Sequence, residues 1–252
     1  MQIMIGSAKE MRAECNYAPK ENTSPLFKDE ALANAMQMSA YSEDELSVML
    51  KCNAAIAGEN KLRFMRFTEH DNELQAILAY NGVVYKHLGT SDFTKEDFKY
   101  AGGHLWITSF LYGLLRPLDM IKCYCLEGDV VLPDNGCSMF DYWKARLTDV
   151  FIESVKNDDG VLLDLASSEM HRLFNWSKVK REITVVRPEF YVCKGGKLKT
   201  VVVYAKMCRG EMTRFAIKNR LDDADALRGF TYEGFRFIPQ ESTQTSPVFV
   251  LE

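Results

Sequence analysis

Several cations stand where strands or turns are expected to end, and these positions suit the binding of an anion. Lys9 closes the segment GSAK, directly after the apolar stretch QIMI. Small residues before a lysine at the exit of a strand can present backbone amides and an ammonium to a phosphate or carboxylate. The spacing therefore favours an anion-binding turn at Lys9, with an ordinary surface lysine as the alternative.

A second group of cations lies in the segment YAKMCRGEMTRF. Lys206 and Arg209 are expected to leave a strand, and Gly210 to allow a close approach of the backbone. Arg214 is expected to follow on the next helix. Free amides and the helix dipole at a helix N-terminus would add to these side chains. This group predicts an anion site, and a solvated basic face is the alternative.

A single arginine closes the apolar run from Leu105 to Leu115, within the block LYGLLRPLD. Pro117 holds Arg116 in extended backbone and has no amide hydrogen of its own to donate. We expect Arg116 at the mouth of a core strand, where either Asp119 or an external anion neutralises the guanidinium.

A helix-hairpin-helix element that binds nucleic-acid phosphates is predicted at about residues 43–67. Such an element has an aliphatic residue, a glycine that frees the hairpin, and exposed amides that contact phosphates without reading bases. The residues that fit this outline in AAIAGENKLRF are Ile56, Gly58, Asn60, Lys61 and Arg63. Glu59 stands where an aliphatic residue is usual, and Asn60 where a second glycine is usual. A plain helical turn is the alternative.

Charge is unevenly distributed along the chain. Between His171 and Arg220 there are 13 Lys and Arg against 3 Asp and Glu, a net charge of +10 in a protein of net charge −4. The remainder therefore carries −14. Such asymmetry favours a polyanionic partner, and pairing of the basic segment with acidic residues of the same protein is the alternative.

The elements that must position these residues alternate between strands and helices. QIMI is a predicted strand, SEDELSVMLKCNAAIA a helix with a capping box at Ser42 and Glu45, and NKLRFMRF a second short helix. Thr94 and Asp97 form a second box. The segment ITVVRPEFYVCKGGKLKTVVVYAK predicts a hairpin around Gly195 and Gly196. We predict a mixed α/β (α+β) fold, with a mixed central sheet flanked by helices, in one domain over residues 1–252.

The composition and the absence of certain motifs exclude several classes of function. No apolar stretch reaches the ~18–20 residues of a membrane span, and the N-terminus lacks the features of a secretory signal. Seven cysteines at scattered spacing indicate reduced thiols, and hence a cytoplasmic protein. The four histidines, His70, His87, His104 and His171, belong to no metal-binding pattern. We expect no metal site, no cofactor and no membrane partner.

The chain resembles the YaaA peroxide-stress proteins along its whole length. The motifs that carry this resemblance are the strand followed by SAK, QAILAYNGVVY, LYGLLRPLD, YCLE, LLDLASSE, YAKMCRGEMTRFAIKNRL and GFTYEGFRF. The resemblance implies a cytosolic protein that protects against hydrogen peroxide by limiting free iron and DNA damage. It further implies duplex DNA binding through a basic cleft and a helix-hairpin-helix, in a single-domain α/β fold.

Carried over by position, the family's polar residues match Lys9, Arg116, Asp119, Glu127, Lys206, Arg209 and Arg214, and the hairpin maps onto Ile56 to Arg63. Gly6 and Ser7 open the motif that begins Ser-Pro in the family. Cys125 replaces a cleft arginine, and Met207 replaces a basic residue. Loss of two cations should weaken phosphate binding and its dependence on salt.

Two functions of different class follow. In the first, the protein binds duplex DNA weakly, without sequence specificity and with strong salt sensitivity. In the second, the cleft is an enzyme site for a small anionic or nucleobase substrate, held by Arg116 and Lys206, with Glu127 or a lysine (Lys9 or Lys206) performing acid–base work. A third possibility is that the charges only form internal salt bridges. Both functions require Lys9, Arg116, Glu127, Lys206 and Arg209 to line one cleft.

Overall fold

A five-stranded mixed sheet around the N-terminal strand organises the fold. The computed structural model describes residues 1–69 and 71–252. The strands are β1 (Gln2–Gly6), β2 (Glu73–Gln75), β3 (Leu105–Ser109), β4 (Gly113–Leu115), β5 (Met120–Lys122), β6 (Val161–Asp164), β7 (Thr184–Val186), β8 (Glu189–Lys194), β9 (Lys197–Lys199), β10 (Arg236–Phe237) and β11 (Val248–Leu251).

Helices cover the sheets. They are α1 (Lys28–Ser39), α2 (Glu43–Met49), α3 (Ala54–Met65), α4 (Ala76–Ala79), α5 (Val83–Leu88), α6 (Lys95–His104), α7 (Met139–Lys156), α8 (Trp176–Glu182) and α9 (Val202–Asn219), with 3-10 turns at Thr90–Asp92, Met170–Leu173, Ala224–Gly229 and Pro239–Glu241. The mixed α/β prediction is confirmed, as are both capping boxes, which begin α2 and α6.

The main sheet has the order β4-β3-β1-β6-β7. Strand β1 runs parallel to β3 and β6, β7 runs parallel to β6, and only β4 is antiparallel to its neighbour. Both faces of β1 are buried, which explains its continuous apolar sequence. Because the chain passes from β3 across β1 to reach β6, the strand order reverses at β1. Ligands of open parallel sheets bind outside the carboxyl ends of the strands at such a reversal.

A second sheet has the order β10-β11-β8-β9, and β2 pairs with β5. The predicted hairpin at Gly195 and Gly196 is confirmed, since both adopt positive φ, 60° and 70°, between the antiparallel strands β8 and β9. Strand β9 is an exposed edge with Lys197 and Lys199 at its ends. Lysines on an edge strand discourage pairing with another chain.

The predicted strand VVVYAK is instead the beginning of α9, so that prediction is wrong. Three residues at helical spacing, Ala205, Cys208 and Met212, are buried. Burial of this helix face outweighs the strand propensity of the β-branched residues at the start of the segment. A Cβ at Gly210 would lie 2.2 Å from the carbonyl oxygen of Val84, so only glycine permits this close packing of α9 on α5. Lys206 and Arg209 therefore project from a helix.

The run from Leu105 to Leu115 is also not one element. The chain reverses between β3 and β4, and Gly113 adopts a φ of 70° where β4 begins. A Cβ at Gly113 would lie 2.7 Å from the ring of Trp143, so glycine serves both the turn and the packing. This reversal returns the chain to the amino edge of the sheet, where the parallel strands begin.

The predicted hairpin at Gly58 is wrong as well. Helix α3 runs through Gly58, and α2 ends at Met49, so the helix-to-helix turn lies at Leu50–Asn53. Lys51 adopts a φ of 52° there, and the side chain of Asn53 accepts a hydrogen bond from the amide of Ile56 to begin α3. The helix-hairpin-helix identity of residues 43–67 is not confirmed. In the described part of the chain, the helices lack the combination of length and apolar character that crossing a membrane requires.

Candidate anion-binding pocket

A cavity of about 470 Å³ opens at the carboxyl edge of the main sheet. Its lining includes the residues that follow three parallel strands, namely Ser7 after β1, Phe110 after β3 and Leu165 after β6. Helix α9 contributes Lys206 and Arg209 to the lining. The strand order thus gathers segments that are far apart in sequence around one site.

Four residues predicted to converge, Lys9, Glu127, Lys206 and Arg209, all line this cavity. Nζ of Lys9 lies 2.8 Å from Oε1 of Glu127. This hydrogen bond raises the pKa of Lys9 above its ordinary value of 10.5, although desolvation opposes it. Lys9 is therefore a protonated cation at neutral pH, which suits anion binding and not the role of a general base.

Arg209 differs from Lys9 because it has no partner of its own. Among residues 1–69 and 71–252, no hydrogen bond or ion pair to its guanidinium is formed. Burial lowers the pKa of Arg209, Arg187 lowers it further, and Asp164 partly offsets both effects. A half-buried guanidinium without a partner is costly, and an anion bound in the cavity would reduce that cost.

Asp164, the last residue of β6, cannot serve as this partner because its carboxylate is already engaged. Oδ2 lies 2.5 Å from Nη1 of Arg187 and 2.8 Å from Nε2 of His171. The amide of Ala166 donates to Oδ1 at 3.2 Å. These contacts fix the segment after β6 that lines the cavity and leave the positive charge of Arg209 exposed to it.

The deep wall of the cavity is aromatic and apolar, formed by Phe110, Tyr85, Tyr124 and Met170. The tyrosine hydroxyls are already used: Tyr85 donates to the carbonyl of Gly6 at 2.9 Å, and Tyr124 bonds Ser109 at 2.6 Å and Tyr80 at 2.9 Å. Burial raises the pKa of Tyr124 to about 12, so it stays neutral. The wall therefore offers ring surface rather than free polar groups.

The cavity lining is balanced in charge, because Glu10, Glu127 and Glu169 accompany the three cations. Glu10 is engaged by Lys86 at 3.0 Å and by Asn81. A lining of mixed sign suits a ligand that carries both an anionic group and hydrogen-bonding groups better than it suits a simple polyanion.

Arg116 does not join this cavity, so the prediction of a common cleft is wrong for it. It lies at the amino edge of the parallel strands, in a separate cavity lined by Gln2, His104 and Ser154. Its guanidinium stacks 3.3 Å from the ring of Trp106 and donates to Gln2 Oε1 at 3.1 Å. Burial lowers the pKa of Arg116 to about 10, which still leaves it charged at neutral pH.

Asp119 does not neutralise the guanidinium of Arg116 by a direct contact. Its carboxylate accepts from the backbone amide of Arg116 at 2.7 Å and from the hydroxyl of Thr23 at 2.6 Å. Burial raises the pKa of Asp119, and both hydrogen bonds oppose that shift. Asp119 therefore closes the turn after β4.

Arg214 also lies outside the cavity. Its guanidinium forms a two-point ion pair with Asp92, in which Nη1 lies 2.8 Å from Oδ1, and donates to the carbonyl of Gly89. This contact ties α9 to the turn after α5 and explains why the pKa of Arg214 is raised.

The residues predicted to form the hairpin mostly serve the packing of α3. Nζ of Lys61 donates to the carbonyls of Ser39 and Tyr41 at 2.6 and 2.7 Å, which ties α3 to the end of α1. Asn60 is fully buried and donates to the carbonyl of Ile56. Arg63 pairs with Glu59 on the same helix. Gly58 lies mid-helix against Glu43, and Ile56 is partly exposed in the first turn.

The actual turn at Leu50–Asn53 lies beside the wall of the cavity. Nζ of Lys51 is 3.9 Å from Oδ2 of Asp129, just beyond the lining segment. Burial raises the pKa of Cys125 to about 11, and the nearby Cys52 contributes to the shift. The turn between α2 and α3 is thus a neighbour of the cavity, although its side chains do not line it.

The basic segment divides into two parts in the structure. Seven of its Lys and Arg residues form ion pairs: Arg172, Lys178, Arg181, Arg187, Arg214, Lys218 and Arg220. In the described part of the chain, the others have no carboxylate within 4.0 Å: Lys180, Lys194, Lys197, Lys199, Lys206 and Arg209. We call the consecutive set Lys194, Lys197, Lys199, Lys206 and Arg209 the basic ribbon.

Sequence reasoning missed the aromatic wall and the lysines of the β8–β9 hairpin. Tyr85 and Phe110 occur within or beside the quoted motifs QAILAYNGVVY and LYGLLRPLD, but nothing in their spacing marks them as cavity residues. The hairpin itself was predicted, and the alternation of Lys197 and Lys199 could have indicated two cations on one exposed edge. Over the described residues, no group of three or more His, Cys, Asp or Glu side chains could hold a metal. His70 lies outside the described residues.

Comparison with known proteins gives consistent similarities. A family model described as "Peroxide stress protein YaaA" matches residues 1–241. A protein of Phocaeicola vulgatus described as "UPF0246 protein" is 52% identical, covering 100% of this chain and 99% of that protein. A protein of the same description from Bacteroides thetaiotaomicron is 50% identical over 99% of this chain and 98% of its own length. Another, from Crocosphaera subtropica, is 32% identical over 99% of this chain and 100% of its own length.

Proposed function

This chain belongs to the YaaA family of peroxide stress proteins, and from that premise we propose that it binds duplex DNA without sequence specificity. Binding of this kind would limit peroxide damage to DNA in the cytoplasm. The contacts are directed to phosphates, so affinity is weak and falls steeply with salt.

The observation that carries this proposal is the absence of ion-pair partners along the basic ribbon, among the residues that the structure describes. Lys178 and Arg214, from the same basic segment, are neutralised by Asp149 and Asp92, whereas Lys194, Lys197 and Lys199 are exposed and unpaired. Exposed cations without partners can neutralise DNA phosphates, and the release of the cations condensed on the DNA then supplies affinity.

The members of the ribbon also follow one another along the chain. Strand β9 ends at Lys199, and α9 begins three residues later at Val202, so the lysines of the hairpin lead into Lys206 and Arg209 at the cavity. Leu198 and Val202 are exposed along this course and offer apolar contact to sugars. A surface of lysines with few groups suited to base edges positions a duplex without reading its sequence.

The turn at Leu50–Asn53 provides a second phosphate contact. Asn53 caps the amide of Ile56, and the amides of Ala54 and Ala55 begin an exposed helix without a side-chain cap among the described residues. Free amides at a helix start bind phosphate, aided by the helix dipole. The proposed helix-hairpin-helix contact is thus moved from Gly58 to the turn at Lys51.

The test is duplex binding measured by fluorescence anisotropy from low to high salt. Replacing Lys194, Lys197 and Lys199 together by alanine should flatten the log–log salt slope by roughly 3, at about 0.9 for each phosphate contact. The matched control replaces three ion-paired lysines, Lys144, Lys156 and Lys178, and loses the same formal charge. Equal effects of the two triple substitutions would show that only net charge matters and would contradict the ribbon as the binding surface.

A further inference from the structure

We infer that the cavity at the carboxyl edge of the sheet binds one nucleotide unit, a planar base with its phosphate. The unit can come from a free nucleotide or from an unpaired nucleotide of DNA. The inference rests on the proposed function only in so far as Lys206 and Arg209 belong to both surfaces.

The size and the wall of the cavity fit a planar group. A volume of about 470 Å³ falls within the range of about 300–1,000 Å³ that is usual for small-molecule sites. Phe110, Tyr85 and Tyr124 supply ring surface, and Met170 supplies an adaptable apolar contact. Proteins that hold a nucleobase outside a duplex place it against aromatic and apolar side chains of this kind.

Arg209 marks the position of the phosphate. Within the described residues its guanidinium has no ion-pair partner, since Asp164 is taken by Arg187 and His171. A guanidinium binds phosphate with two parallel hydrogen bonds, and it is less strongly hydrated than an ammonium, so partial burial favours it at such a site. Lys206 lines the same cavity and adds a second, exposed cation.

The remaining polar groups suit the edge of a base. The hydroxyls of Ser7 and Ser167 line the cavity and make no hydrogen bond to any described residue. Glu127 keeps one oxygen beyond its contact with Lys9, and Glu169 has no ion pair in the described part of the chain. Bases present donors and acceptors side by side. Hydroxyls can donate or accept hydrogen bonds and carboxylates can accept them, so these groups can pair with both.

Other ligand classes fit less well. An inorganic anion would leave the aromatic wall without a partner, and a purely apolar ligand would leave Arg209 unneutralised. A nucleotide satisfies both ends of the cavity. Its position also suits DNA, because Lys206 and Arg209 continue the basic ribbon, so a duplex on the ribbon would lie beside the opening.

The experiment compares two duplexes that differ only in one bulged adenine, by fluorescence anisotropy at fixed salt. The bulged duplex should bind roughly tenfold more tightly, because stacking of one base on aromatic side chains is worth about that factor. A separate titration by calorimetry uses deoxyadenosine 5′-monophosphate, with inorganic phosphate as comparator, and should show saturable binding of the nucleotide.

A pocket-filling variant locates the site. Ser167→Phe places a ring in the cavity without breaking a hydrogen bond of the described hydroxyl, and it should abolish the preference for the bulge while duplex binding remains. Ser154→Phe is the control outside this cavity: Ser154 is similarly half-exposed and lines the cavity of Arg116, where its hydroxyl accepts from Nη2 of Arg116 at 3.4 Å. Ser154→Phe should keep the preference.

The outcomes separate the two proposals. Equal affinity for both duplexes, with no binding of the nucleotide, overturns the nucleotide site and leaves duplex binding intact. A preference that survives Ser167→Phe also overturns the site. Binding of the free nucleotide without binding of either duplex supports the site and overturns the proposed function. Absence of all binding overturns both.

Discussion

Lys9 and Glu127 form an ion pair at the cavity, with Nζ 2.8 Å from Oε1, and the two side chains differ in exposure. The lysine side chain is 81% exposed, whereas the carboxylate is 18% exposed. The carboxylate offsets the charge of Lys9, so an incoming anion gains less from Lys9 than from a cation without a partner. Arg209, which has no such partner among the described residues, is the cation already available to a ligand.

Replacing Glu127 by glutamine should release Lys9 and increase the affinity of the cavity for anions. The hydrogen bond to Glu127 raises the pKa of Lys9, so NMR titration should find that pKa closer to 10.5 in the variant. Because the folded-state pKa lies above the unfolded value, the stabilising effect of the pair is complete below about pH 10.5 and disappears as the pH rises through the folded pKa. Glu21→Gln is the control, since Glu21 pairs with Lys95 and does not line the cavity. An unchanged Lys9 pKa would contradict the pairing.

Arg116 and Arg209 should respond in opposite ways to replacement by alanine. Arg116→Ala removes a cation stacked on Trp106 and a hydrogen bond to Gln2, and should cost about 2–4 kcal/mol in the free energy of unfolding. Arg209→Ala should change stability little, because it removes an unpartnered charge, but should weaken DNA binding. Urea unfolding and anisotropy measure the two effects. Loss of DNA affinity in a folded Arg116→Ala protein would contradict the separation of the two sites.

Asp164→Asn should be strongly destabilising. The carboxylate is buried and accepts from Arg187 and His171, so its removal leaves Arg187 charged beside Arg209 and should cost about 3–5 kcal/mol. Asp149→Asn, at an exposed pair with Lys178, should cost less than about 1 kcal/mol. Urea denaturation of both variants is the measurement, and similar small losses would show that the buried network is not structural.

Gly58→Ala should stabilise the protein by about 0.5–1 kcal/mol, since Gly58 lies in the interior of α3. The atoms nearest to a Cβ there belong to the carboxyl group of Glu43, at 3.4 Å, which is an ordinary contact. DNA affinity should not change. Thermal unfolding and anisotropy test this. A destabilised variant with weaker DNA binding would contradict the helical role of Gly58 and support the hairpin that the sequence predicts there.

Much of the local structure follows from the sequence alone. The capping boxes at Ser42 and Thr94, the hairpin at Gly195 and Gly196 and the buried strand β1 all depend on neighbouring residues, so short patterns suffice to predict them. The charge asymmetry also follows from the sequence. Which of the cations are neutralised does not, because the partners of Lys178 and Arg214 lie far away in sequence.

Only the tertiary structure decided which cations meet. The turn at Gly113 reverses the chain, and this single reversal carries Arg116 to the amino edge of the sheet, away from Lys9. The packing of Gly210 on α5 makes VVVYAK helical against its β propensity and points Arg209 into the cavity. Local propensity is worth a few tenths of a kcal/mol for each residue, whereas burial of a helix face is worth several, so long-range packing determined the site.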